Sequence, residues 1–141
     1  MINKIKKYFK EVLEIKKTPH EIALGFAVGV FIGILPTPGI NILLGILTIF
    51  IFKHLNKIAL FGGIAIFNPL TTVPIIYYAH RLGGLIVTPL RPTSTLYPFV
   101  REFLNLSIRI IVGTLILGPI IATICYFIVK KIVTKIQKNL L

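Results

Sequence analysis

Two groups of residues in this chain could do chemistry, and both concern anions. The first is Arg109, the one charged residue in the last apolar segment, Phe103 to Val129. Burying a guanidinium in an apolar layer costs several kcal/mol unless it reaches an interface, pairs or faces water. Glu102 lies seven positions upstream, at the segment's edge. Arg109 therefore either snorkels from near the end of its helix or balances an anionic ligand or lipid phosphate. The second group surrounds two proline breaks inside apolar sequence, Pro36-Thr37-Pro38-Gly39 and Asn68-Pro69, with Pro74 beyond the second. Thr37-Pro38 and Asn68-Pro69 each read as an N-cap followed by a first-turn proline. A half-helix starting there would offer free N–H groups and the positive end of its dipole. Thr37, Asn41, Asn68, Thr71 and Thr72 could complete an anion site at these breaks. The alternative is that Thr37 and Asn68 only cap their helices while the others bond nearby backbone.

Enzyme chemistry finds little support. There are no paired carboxylates, no metal-ligand cluster and no nucleophile with a histidine base. Ser94 and Ser107 lack partners, and His54 and His80 fall in or beside expected loops. Glu21 is expected as the third-position acid of a capping box opened by Thr18, with Pro19 at the first helical position. His20 is then an exposed first-turn residue. Cys125 is the single cysteine, so no intramolecular disulfide can form. No catalytic residue, metal or cofactor is expected.

The elements that must position these residues are membrane elements. Of 141 residues 55% are hydrophobic and 14% charged, with a mean hydropathy of +0.90, which is too apolar for an ordinary soluble domain. Nearly charge-free stretches run over Ile22 to Leu35, Gly39 to Phe52, Ile58 to Ala79 and Phe103 to Val129. The net charge of +12 is placed around them: six lysines with Glu11 and Glu14 in residues 1–17, and four lysines in 130–141. Lysine-rich flanks of this kind suit anionic lipid head groups, and nothing resembles the polar, aromatic platform that nucleic acid would need. In residues 1–17, Ile2, Ile5, Tyr8, Phe9, Val12 and Leu13 recur at helical spacing, predicting a basic amphipathic helix in the interface. This helix is expected to be retained rather than cleaved as a signal peptide.

Gly25, Gly29 and Gly33 lie four apart on one helical face and predict close approach of another helix, from this chain or a partner. Ile22 to Leu35 holds 14 residues, about 21 Å of helix, too short for a hydrocarbon layer of about 30 Å. Two short helices around Pro36 to Gly39 thus form a re-entrant hairpin or one broken span. Ile22-Ala23-Leu24, Phe31 and Pro38 recur as Ile58-Ala59-Leu60, Phe67 and Pro74, an offset of 36 residues. Pro119, with Gly113 and Gly118, predicts a kink in the last helix. The expected architecture is all-α integral membrane: an interfacial helix over 1–17, a membrane domain over 18–129 and a basic tail over 130–141. Within the domain, broken pairs cover 19–52 and 57–80, a loop 81–102, and a kinked transmembrane helix 103–129. Positive charge at every loop nearly removes the asymmetry that orients such a chain; the basic N-terminus favours the cytoplasmic side of an inner membrane.

One family shares these residues. The run Ile22-Ala23-Leu24-Gly25-Phe26-Ala27-Val28-Gly29-Val30-Phe31-Ile32-Gly33, with Pro36, Gly39, Asn56, Asn68-Pro69-Leu70-Thr71, Pro74, Tyr77, Tyr78 and Leu82-Gly83, resembles the small bacterial membrane proteins catalogued as domain of unknown function 2062. The resemblance runs from about Pro19 to Leu85. Asn41 stands where members often have Gln, and Ala65 where many have Trp. The resemblance implies no established activity, although the family's attachment to glycosyltransferase-like proteins implies envelope or lipid-linked sugar pathways. Two expectations follow. One is a small transporter or translocase for an anionic solute or phosphate-bearing lipid. The other is a non-catalytic scaffold whose glycine face recruits a partner such as a glycosyltransferase. A homo-oligomer in anionic lipid is expected in either case.

Overall fold

The computed structural model describes residues 1–7, 18–37, 39–67, 69–89 and 97–140, and among them it is helical, without strands. Residues 2–7 are helical and exposed; the remainder of the expected interfacial helix lies outside the described residues. Five longer helices follow: α1 (Pro19–Ile34), α2 (Ile40–Ile51), α3 (Lys57–Ile66), α4 (Pro69–Ile86) and α5 (Pro98–Leu140).

Local sequence explains where α1, α2 and α3 begin. Thr18 accepts from the Glu21 N–H through Oγ1 at 3.3 Å, and the Glu21 carboxylate accepts from the Thr18 N–H at 3.2 Å, closing the capping box. Asn56 starts α3 the same way, its Oδ1 accepting from the Ala59 N–H at 3.0 Å. Gly39 caps α2 in the left-handed region, with φ of 85°, a conformation that costs other L-residues about 1–2 kcal/mol.

Small residues then set the packing. A Cβ on Gly25 would come within 2.8 Å of the Asn56 carbonyl oxygen, one on Gly29 would overlap the Leu60 carbonyl, and one on Gly33 would sit 3.1 Å from Phe67. Gly63 answers from the other helix, its α-carbon facing the backbone of Phe26 and Val30. Positions 25, 29 and 33 thus meet 56, 60 and 67 in rising order, so α1 and α3 run parallel with their backbones nearly touching. The chain must return between them, and α2 carries it back. Gly45 of α2 packs on Leu60, Phe61 and Ile64 of α3. The first broken pair is therefore a hairpin.

The second pair is different. α4 leaves the end of α3 at an angle of 75° and packs antiparallel on α5: Gly83 meets the backbone of Arg109, and Gly113 that of Ala79. Farther along α5, Gly118 meets Phe31, and Tyr126 meets His20 at the start of α1. α5 is the spine on which α4 and α1 lie in succession. The α3–α4 pair is bent at its break rather than folded back as the first pair is.

Several expected boundaries move. α4 continues to Ile86 rather than stopping near residue 80, because Gly83 and Gly84 pack against α5 instead of ending the helix. Pro74 lies inside α4 and does not break it; its ring removes one backbone donor, and the helix goes on. α5 starts at Pro98 and takes in the basic tail as far as Leu140, with Pro119 inside it and the Thr123 hydroxyl bonding the Pro119 carbonyl at 2.7 Å. His80, expected in or beside a loop, lies within α4.

Apolar side chains face outward to an unusual degree. The core is small, built on Ile22, Ala23, Ala27, Val30, Ile34 and Leu60, whereas Leu43, Phe50, Leu70, Val73, Leu85 and Phe127 are all exposed. Among the described residues α5 alone is long and apolar enough to cross a membrane, with the bent α3–α4 pair as a second if counted as one span. Only 17% of the most apolar stretch of α5 is buried within the chain.

Candidate functional site

The two breaks stand side by side. Gly33, two residues before the Leu35 cap of α1, contacts Phe67, the cap of α3. Phe31, one turn before that cap, meets Gly118, close to the centre of the charge-free stretch 110–129 of α5. Twenty helical residues reach about 30 Å, so the breaks lie near the middle of a layer as thick as a hydrocarbon core.

Their polar side chains are used locally. The Thr37 hydroxyl donates to Asn41 Oδ1 at 2.5 Å, and the Thr37 N–H bonds the Leu35 carbonyl at 2.8 Å. The Thr71 hydroxyl donates to the Ile66 carbonyl at 3.0 Å, fastening the start of α4 to the end of α3. Thr72 lies one residue on, half-buried. Pro36 is half-buried in the turn, Gly39 supplies its left-handed residue, and Pro69 opens α4. Pro38 and Asn68 lie outside the described residues. No side chain caps α2.

Arg109 is not brought to this cluster. It packs on Gly83, fourteen residues beyond Pro69, which is about 21 Å along a helix. There the side chain crosses Gly84, with Nε 3.9 Å from where a Cβ would stand. Its Nε is buried and has no hydrogen-bond partner. The Glu102 carboxylate is exposed and lies 3.6 Å from Arg101.

Charge separates along the spine. Lys53 and Lys57 border the start of α3, Lys130 stands over the Tyr126 ring at 5.5 Å, and Tyr126 Oη lies 2.6 Å from His20 Nδ1. Lys131, Lys135 and Lys138 continue beyond. This is the end at which α1 begins. Arg81, Arg101 and Arg109 lie at the opposite end. Every loop looked basic in the sequence because loops from both ends alternate; among the described residues of α3, α4 and α5, the lysines stand at one end and the arginines at the other.

Sequence reasoning treated His20 as a lone exposed residue and did not connect it to Tyr126, 106 positions away. It also left Asn56 without a role, although the residue is buried, with its side chain capping α3 and its backbone against Gly25. Asn56-Lys57 before an apolar run was the available signal. The glycine face is filled by α3 of the same chain. Among the described residues no group of three or more His, Cys, Asp or Glu side chains could hold a metal.

No curated protein and no solved structure matches the chain. A family model does, and it covers residues 3–140, well beyond the half of the chain that carries the recognisable motifs. The glycine-lined α1–α3 contact, the paired breaks and the long α5 therefore all fall within the match, and the chain belongs to the family described as an uncharacterized protein conserved in bacteria, DUF2062.

Proposed function

We propose that this protein is integral to the bacterial cytoplasmic membrane and carries an anionic solute or a phosphate-bearing lipid across it. Membrane insertion is supported by the exposed apolar faces of α2, α4 and α5, which far exceed what a soluble monomer leaves in water. Residues 110–129 of α5 form the span, the α3–α4 pair crosses beside it, and the α1–α2 hairpin enters and returns. The lysine end, which the six lysines before α1 adjoin in sequence, faces the cytoplasm under the positive-inside rule.

The observation that carries transport is the contact of the two breaks in mid-layer, Gly33 against Phe67. Irregular backbone at membrane depth is tolerated where protein buries it or a cavity receives it, and discontinuous helices meeting near the midplane are how several transporters build substrate sites. Thr37, Asn41, Asn68, Thr71 and Thr72 are the polar groups available there. Several copies would enclose the path, since five helices with open clefts leave it exposed to lipid.

The test is flux in proteoliposomes, following dithionite access to a fluorescent phosphatidylglycerol and, in parallel, uptake of labelled phosphate. Protein-dependent flux of one of them should fall about tenfold or more when Asn41→Ala and Asn68→Ala are combined. Rates equal to protein-free liposomes for both would refute the reading.

A further inference from the structure

We propose that the cleft between α4 and the first half of α5 is a binding site for a phosphate group, gripped by Arg109 and Arg81. It rests on the membrane reading for its depth but is separate from the helix breaks. The cleft measures about 540 Å³ and is lined by Tyr78, His80, Arg81, Gly84 and Arg109, with Leu82 and Leu85. No carboxylate is among these residues.

Four features converge on an anion. Arg109 Nε is buried without an acceptor, a state that costs a donor its full desolvation unless a ligand supplies the bond. Gly83 makes the approach possible by letting the backbone of Arg109 come close, and the Arg109 side chain then lies in van der Waals range of Gly84. Glu102, the acidic residue nearest in sequence, is exposed beside Arg101 and is not among the residues that line the cleft. Arg81 is exposed at the same cleft, adding a second planar fork of the kind that binds phosphate oxygens in pairs.

The carboxyl end of α4 carries partial negative charge of about half a unit. That helps hold the two guanidiniums but leaves the cleft cationic. Its level matches the chemistry. Arg109 and Lys130 bracket the uncharged stretch of α5, so the cleft opens at head-group depth on the arginine side. Tyr78, exposed beside it, suits an interface where aromatic side chains gather. A lipid head group and a free phosphate ion share the chemistry that this cleft recognises.

The full chain in detergent micelles is titrated with dioctanoyl phosphatidic acid, dioctanoylglycerol and inorganic phosphate, and binding is read by calorimetry. Phosphatidic acid should bind, dioctanoylglycerol should bind at least tenfold more weakly, and Arg109→Gln and Arg81→Gln should each weaken the phosphatidic acid at least tenfold. Inorganic phosphate competing at comparable concentration identifies a solute site; failure to compete while the lipid binds identifies a lipid site. Arg81 is exposed, so its variant tests the cleft even if Arg109→Gln does not fold. Equal binding with and without the phosphate, or wild-type affinity in Arg81→Gln, overturns the proposal. Release of the chain from membranes by alkaline carbonate would defeat the membrane reading alone, because the micelle titration does not depend on it.

Discussion

Replacing Gly29 by alanine should separate α1 from α3, and replacing Gly62 by alanine should not. The two substitutions add the same methyl group to helices thirty-odd residues apart in sequence. At Gly29 the new Cβ would overlap the Leu60 carbonyl and lie 2.8 Å from its carbon, which is backbone and cannot rotate away. At Gly62 nothing lies within 4 Å. Overpacking costs about 1–3 kcal/mol, and contact with rigid backbone belongs at the upper end, whereas alanine for an unhindered helical glycine gains up to about 1 kcal/mol. For a chain of this size 1 kcal/mol moves the melting temperature by roughly 4 °C. Gly29→Ala should therefore melt roughly 8–12 °C below wild type, while Gly62→Ala melts at or slightly above it. Circular dichroism at 222 nm in one detergent reads both. Equal melting temperatures for Gly29→Ala and wild type would mean that α1 and α3 are not in backbone contact.

Substitutions at two further positions probe the starts of helices. Asn56→Ala should destabilise by about 1–2 kcal/mol, since it removes the side-chain cap of α3 at a buried position, and Asn56→Asp should recover part of that; the same melting assay reads both. Gly39→Ala should cost about 1–2 kcal/mol from its left-handed backbone alone, because no neighbour lies near the added methyl. Gly39→Asn should cost less, and a neutral Gly39→Ala would show that the turn takes another conformation.

The parts of the fold legible in the sequence were those fixed locally or by spacing. The Thr18 capping box and the i, i+4 glycines named the start of α1 and its contact face, because both depend on residues within one helix. The same signals could not choose between hairpin and bent span for the two broken pairs. That difference is set by the parallel register of α1 on α3 and by the antiparallel seat of α4 on α5, neither of which leaves a local mark. Gly83 and Gly84 show the ambiguity directly: the sequence reading put them in a loop over 81–102, and in the fold they are the surface on which Arg109 rests. Arg109 itself was recognisable as an exceptional charge, but its company was not. Arg81 and His80 lie 28 and 29 positions away and share its cleft only because α4 extends about two turns past the apolar run. The sorting of lysine from arginine was hidden for the same reason, since assigning loops to ends requires knowing which pair of helices returns.

That sorting is also the most direct test of the arrangement in a membrane. With Cys125 replaced by serine, single cysteines are placed by His54→Cys between α2 and α3, by Thr88→Cys after α4, and by Asn139→Cys near the end of α5. Whole cells are then treated with a membrane-impermeant maleimide. Position 88 should label in intact cells, while positions 54 and 139 should label only after the cells are opened. Labelling of 54 and 88 from the same side would contradict the bent α3–α4 span and, with it, the two-ended charge arrangement.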